Sequence, residues 1–385
     1  MKIEFKLFYF FHYFAVGIAG PYLSVFLYQK NYTGGQIGLI LGVLPIAGLV
    51  FQPVWSFLSD ILNKRRLLLL IGCLGSGVAF LGIGWAGTFI VTLAFAIFFS
   101  VMRAPIMSIS NAVVLEHLEA TGEQEKYSLV RLWGSLGFAV SSILMGSIFL
   151  DRIQVYFSWS VAGVLFLLGA ISLFLPEKGE GFEKTRINGV RFLAGNVNFI
   201  IYLAGSVFIG MTLGVYNNYT TLFLQSIDTS SLLIGIIVSL QAFLEVPMMM
   251  AVPFFLRYLS MQKIILIGAA ALPVRWLLYY FIKQPGWILP TQLINGVAAV
   301  SFFVVGVSFV DRLVSQEWRA TGQGLYSSAM MGVGSGVGVY LAGRVLERFD
   351  IPSIWMLNFF AGLVGLALLA VAFQRLEKST EQSSS

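Results

Sequence analysis

FIVTLAFAIFFSVMRAPIMSISNAVVLE, residues 89–116, carries one charged side chain, Arg103, before its closing Glu116. As a helix this stretch covers roughly 40 Å at 1.5 Å per residue, more than the ~30 Å hydrocarbon core of a bilayer. It reads as a membrane span with a guanidinium near its centre. Outward from it, apolar runs bounded by charges or turn residues lie near 5–29, 35–59, 66–86, 126–149 and 154–175. A polar stretch, 176–191, follows, and then six more runs near 193–224, 231–256, 261–282, 286–311, 320–346 and 352–374. The 385 residues are 58% hydrophobic and only 11% charged, whereas soluble domains average about 25% charged. The expected fold is an all-α membrane protein, with 12 transmembrane helices in two six-helix pseudo-symmetric bundles. The bundles occupy 1–175 and 193–376, a cytoplasmic linker spans 176–192, and 377–385 form a disordered tail.

Composition also excludes. The net charge of +6 is scattered over short loops and forms no basic patch, which argues against a nucleic-acid partner. One cysteine, Cys73, permits no intrachain disulfide, and with only His12 and His117 no histidine or cysteine metal centre or other cofactor is expected. Lys2 and Lys6 precede an apolar run as in a signal peptide, but the run continues to about Tyr28 and suits a first span. If both termini are cytoplasmic, the far side receives only Lys30, Arg152, Lys283, Arg344 and Arg348 of the 24 lysines and arginines. Arg103 and Arg275 lie in the membrane and the rest are cytoplasmic, the bias of the positive-inside rule. The expected location is the cell membrane, multi-pass, as a monomer in the lipid bilayer.

Three charges fall inside spans: Arg103, Glu245 and Arg275. They stand 13, 12 and 12 residues from the flanking Glu116, Arg257 and Lys263, about 18–20 Å in depth and close to the midplane. Each costs roughly 2.5–3.5 kcal/mol at a helix centre unless a polar cavity or partner offsets it. The halves also repeat. At an offset of 197, Gly17 recurs as Gly214, Tyr22 as Tyr219 and Ile37-Gly38 as Ile234-Gly235. At an offset of 200, Asn111 meets Asp311, Ala120-Thr121-Gly122 meets Ala320-Thr321-Gly322, and Gly134-Ser135 meets Gly334-Ser335. Parallel six-span repeats place a solute site at mid-depth between the halves.

Phe5, Leu7, Phe8, Phe10-Phe11, Tyr13-Phe14, Gly17 and Pro21 form a pattern that continues through Leu27, Gly38, Phe51-Gln52-Pro53, Leu58-Ser59-Asp60 and Leu62. It resembles lactose permease of the major facilitator superfamily. The segment up to Arg65-Arg66 is similar to the superfamily's loop motif between the second and third helices, with Ser56 and Asn63 in place of its glycines. Tyr127, Arg131-Leu132-Trp133-Gly134-Ser135 and Gly137-Phe138 resemble the fifth helix of the phenylpropionate permease branch. Lys263, Leu266, Gly268, Val274 and Arg275 resemble the ninth helix of lactose permease. The resemblance implies that Arg131 holds the place of a sugar-binding arginine, Phe138 that of a stacking tryptophan, and Arg275 that of an arginine of the sugar–proton machinery. That machinery's histidine and glutamate on the tenth helix appear as Asn295 and Ala298. The acidic partner on the fourth helix has no counterpart, Asn111 being the nearest polar group.

Each residue carries two readings. Glu245 is a proton-carrying or substrate-binding acid, or the permanent partner of Arg275 or Arg103. His12 is a proton relay or a neutral histidine bonded to a neighbouring helix. Asn217, Asn218 and Tyr219, with Tyr216, line the pathway or bond between helices. Gly332, Gly334, Gly336 and Gly338 suggest close helix packing rather than a phosphate loop. Asp60 with Arg65 and Arg66, and Asp311 with Arg312, are expected as cytoplasmic gate pairs. The function expected is secondary active transport of a small sugar-like or aromatic-carboxylate solute, coupled to protons in symport by alternating access and not enzymatic. A sugar or drug efflux antiporter is the alternative, and a nontransporting sensor a weaker one.

Overall fold

Asn31 and Asp228 adopt left-handed backbone, at φ of 62° and 54°. These side chains tolerate that conformation in tight turns. Each closes the first helical hairpin of its half, and the two stand at the repeat's own spacing. In the computed structural model, which describes residues 2–62, 64–123, 126–177 and 196–384, the helices of the first half are α1 (Ile3–Gln29), α2 (Gly34–Leu62), α3 (Arg65–Trp85), α4 (Phe89–Ala120), α5 (Tyr127–Leu144) and α6 (Ile153–Ser172). Those of the second are α7 (Val197–Ser226), α8 (Ser231–Met250), α9 (Met261–Phe281), α10 (Pro285–Leu313), α11 (Thr321–Leu346) and α12 (Ser353–Ser384). Among the described residues, these twelve are the helices long and apolar enough to cross a membrane.

The linker expected at 176–192 lies outside the described residues from position 178 onward. The tail expected to be disordered is instead helical to Ser384, as the last turns of α12. Its Glu, Lys and Gln residues are good helix formers and no Gly or Pro interrupts them.

Two compact units form. In the first, α1 packs along α5 and α6, α3 along α4 and α6, and α2 along α4. In the second, α9 packs on α12 and α10. The first unit also takes in 218–225 of α7 and 229–242 across the start of α8. Glycine explains the approach of α8: a Cβ on Gly146 would lie 2.7 Å from the Cα of Gly235. The Ser24 hydroxyl also donates to the Asn218 carbonyl.

Repeated glycines do the same work in both units. A Cβ on Gly134 would stand 2.5 Å from the Tyr13 ring, and one on Gly334 would stand 3.1 Å from the Cα of Gly210. These pairs bring α5 onto α1 and α11 onto α7. Gly338 likewise abuts Met211, so the glycine run of α11 is a packing surface. Helix ends are tied down polarly. Lys30 Nζ donates to the carbonyls of Ile83, Gly84 and Ala86 at 3.1, 2.8 and 2.9 Å, closing the C-terminus of α3. Partial burial pushes the pKa of this ammonium down. A π-helical turn, Val300–Val305, interrupts α10, and Tyr326 of α11 donates to the Phe302 carbonyl within it at 2.8 Å.

Candidate functional site

In the first unit, Tyr9 and Tyr13 stand one turn apart on α1, Tyr13 against Gly134 of α5. Arg131, one turn before Gly134, donates from Nη1 to Tyr13 Oη at 3.4 Å. Tyr127 donates to Asn111 Oδ1 at 3.4 Å, and Tyr9 donates to the same oxygen. Arg103 of α4 lies with its guanidinium carbon 5.9 Å from the Phe99 ring centre and within electrostatic range of Tyr13 and His12. His12 is buried, its ring edge-on to Tyr13 at 5.1 Å. Neither Arg103 nor Arg131 is covered by protein, and neither has a carboxylate partner among the described residues. Phe138 is half-buried one turn beyond Gly134.

In the second unit a different cluster forms. Arg275 of α9 is completely enclosed, at 0% exposure. Its Nη1 donates to Asn295 Oδ1 at 2.7 Å, and its Nη2 donates to Gln292 Oε1 at 3.2 Å and Tyr279 Oη at 3.3 Å. The guanidinium carbon is 4.1 Å from the Tyr216 ring centre and 5.0 Å from that of Trp276, a cation–π setting that offsets desolvation. Tyr216 donates to Gln292 Oε1 at 2.9 Å and Gln292 Nε2 to Tyr279 at 3.1 Å. Asn295 Nδ2 donates to Glu245 Oε1 at 3.3 Å. A guanidinium has only donors, so Asn295 must turn its oxygen to Arg275 and its amide N–H to Glu245.

Each intramembrane charge has its described contacts within its own unit. Arg275, expected at the solute, is closed off: its two Nη groups are taken by amides and a phenol within its own unit, while its buried Nε has no hydrogen-bond partner. Asn295, also expected there, uses both ends of its amide internally and is 4% exposed. Tyr219 is fully buried, Asn217 is exposed and Asn218 half-buried. His12 stands beside Arg103. At the expected gates, Arg65 pairs with Glu116 at 2.5 Å, while Arg66 donates to the Leu175 carbonyl and lies 3.8 Å from Glu177. The Asp60 side chain is outside the described residues. Asp311 accepts from Gln323 rather than pairing with the adjacent Arg312, which is exposed. The sequence reading missed Glu116, Gln292, Tyr279, Tyr127 and Gln323. One-turn spacings, Gln292 to Asn295 and Arg275 to Tyr279, were the available signal.

Twelve spans in two units, each with a polar cluster, define a multi-pass membrane protein of the kind that carries small solutes. Residues 2–357 match the MFS_1 like family, and the chain belongs to it, within the major facilitator superfamily. The chain is 26% identical to the maltose permease of Geobacillus stearothermophilus over 387 residues, covering 99% of this chain and 97% of that one. It is 24% identical to the probable 3-phenylpropionic acid transporter of Escherichia coli (strain K12) over 369 residues, 92% and 93% of the two chains. The crystal structure of the nucleoside transporter NupG shares the fold with a TM-score of 0.87 at 19% identity, covering 96% of this chain and 98% of that one.

Proposed function

We propose that the protein is a proton-coupled symporter of a small organic solute, working by alternating access with both termini in the cytoplasm. The observation that carries this reading is the Glu245–Asn295–Arg275 arrangement. A carboxyl at membrane depth is held by a neutral amide whose polarity a buried guanidinium fixes. Such a group can be reached by a proton without dismantling the structure around it, because Arg275 keeps its remaining partners. The exposed Arg103 and Arg131 of the first unit, with the half-buried Tyr13, Asn111, Tyr127 and Phe138, are the solute-contacting set, and the buried Tyr9 holds Asn111 from behind. Asn218 of α7, grouped with the same unit, extends it. The Arg65–Glu116 pair and the Asp311–Gln323 bond hold the ends of their helices at the cytoplasmic surface.

Glu245→Gln tests the reading in proteoliposomes. Downhill exchange of solute should survive, since the amide preserves shape and hydrogen bonding, while accumulation driven by a proton gradient should be lost. Undiminished accumulation would remove Glu245 from coupling.

A further inference from the structure

With Arg275 enclosed and Glu245 engaged through Asn295, Arg103 and Arg131 in the first unit are the mid-membrane or membrane-edge cations left uncovered near the aromatic cluster of α1. Tyr13 is beside both: it accepts from Arg131 at 3.4 Å and lies within electrostatic range of Arg103. The cluster's hydrogen-bonding inventory is lopsided. Two guanidinium groups offer donors only, the amide oxygen Asn111 Oδ1 already accepts from Tyr9 and Tyr127, and Tyr13 Oη accepts from Arg131, which leaves phenol oxygens as the acceptors of the cluster. No carboxylate pairs with either arginine among the described residues. A neutral polyol needs acceptors for its hydroxyl protons as well as donors, and this surface is poor in them. An acceptor-rich anion complements it, through charge-assisted bonds that are shorter and stronger than neutral ones.

We propose that the transported solute is an organic anion whose carboxylate is bound by the Arg103–Tyr13–Arg131 cluster. This rests on the transporter reading above and narrows its solute class. It departs from a neutral disaccharide, the solute named for the maltose permease relative.

The experiment uses the full-length protein in uncharged phosphatidylcholine nanodiscs, with matched pairs: glucuronate and glucose, maltobionate and maltose, 3-phenylpropionate and 3-phenylpropanamide, uridine 5′-monophosphate and uridine. A carboxylate should raise the thermal midpoint where its neutral partner does not. Arg103→Gln and Arg131→Gln should each weaken that binding about tenfold or more, the loss of one charge-assisted bond, with the ligand-free midpoint kept because both side chains are uncovered. Arg103→Lys should restore part of it. Equal stabilisation by neutral partners, or binding indifferent to both substitutions, overturns the inference. Stabilisation by the nucleotide alone reassigns the anion to a phosphate and overturns the carboxylate. Flux of neutral solutes into proteoliposomes without preference for anions defeats this inference and leaves the transporter reading standing. Absence of both flux and stabilisation across the panel counts against both.

Discussion

At the scale of single residues, the decisive distinction is between a charge that is enclosed and one that is open. Arg275 and Arg103 look alike in sequence, each alone in an apolar run at matching depth. Their surroundings differ in kind: Arg275 is enclosed by amides, a phenol and aromatic faces, and Arg103 is exposed beside Phe99, Tyr13 and His12. Enclosure makes Arg275 a stability determinant. Arg275→Lys keeps the charge but cannot reach Asn295, Gln292 and Tyr279 together, because an ammonium is a point donor on a flexible stem. Losing two charge-assisted bonds should cost ~3–6 kcal/mol, read as a lower unfolding midpoint without ligand. Asn295→Leu should do similar damage, since it strips a bond from both Arg275 and Glu245. Wild-type stability with loss of solute binding in Arg275→Lys would instead place Arg275 at the solute.

At the scale of elements, glycine positions decide which helices touch. The repeat was legible in the sequence because both copies must solve one packing problem: Gly134 and Gly334 occupy corresponding places and admit the first helix of their own unit. The Asn31 and Asp228 turns are a further copy. The polar clusters were less legible, because a hydrogen bond such as Tyr127 to Asn111 or Arg65 to Glu116 depends on helix rotation and on partners distant in sequence. Apolar composition on all sides of a membrane helix gives no amphipathic stripe to fix that rotation. The glycine argument yields a paired prediction. Gly137 faces the Phe10 backbone, and a Cβ there collides with its carbonyl oxygen, whereas a Cβ on Gly163 of α6 meets nothing within 4 Å. Gly137→Ala should push α1 from α5 and cost ~1–3 kcal/mol as overpacking. Gly163→Ala should be neutral or stabilise by roughly 0.5–1 kcal/mol through helix propensity. The midpoints of the two variants, measured side by side, check this. Equal shifts would mean that the α1–α5 contact is looser than its geometry indicates.

At the scale of the whole molecule, the count of spans followed from hydrophobic run length alone, but which face meets the cytoplasm rests on the distribution of lysine and arginine. That distribution assigns the Arg65–Glu116 end of α3 and α4 to the cytoplasm, and with it the proposed roles of Asp311 and Gln323. The native chain suits a direct test, because its one thiol, Cys73, is completely buried and gives little background. Lys263, in the first turn of α9, and Lys283, just past its C-terminal end, are both exposed. Lys263→Cys leaves the N-terminal cap intact, since Ser260 Oγ accepts from the backbone N–H of residue 263. A membrane-impermeant maleimide should label Lys283→Cys in intact cells and Lys263→Cys only after permeabilisation. The opposite pattern would invert the molecule. It would put the Arg65–Glu116 pair on the outer face, where it could not serve as a cytoplasmic latch, and would turn Glu245's proposed proton path toward the other compartment.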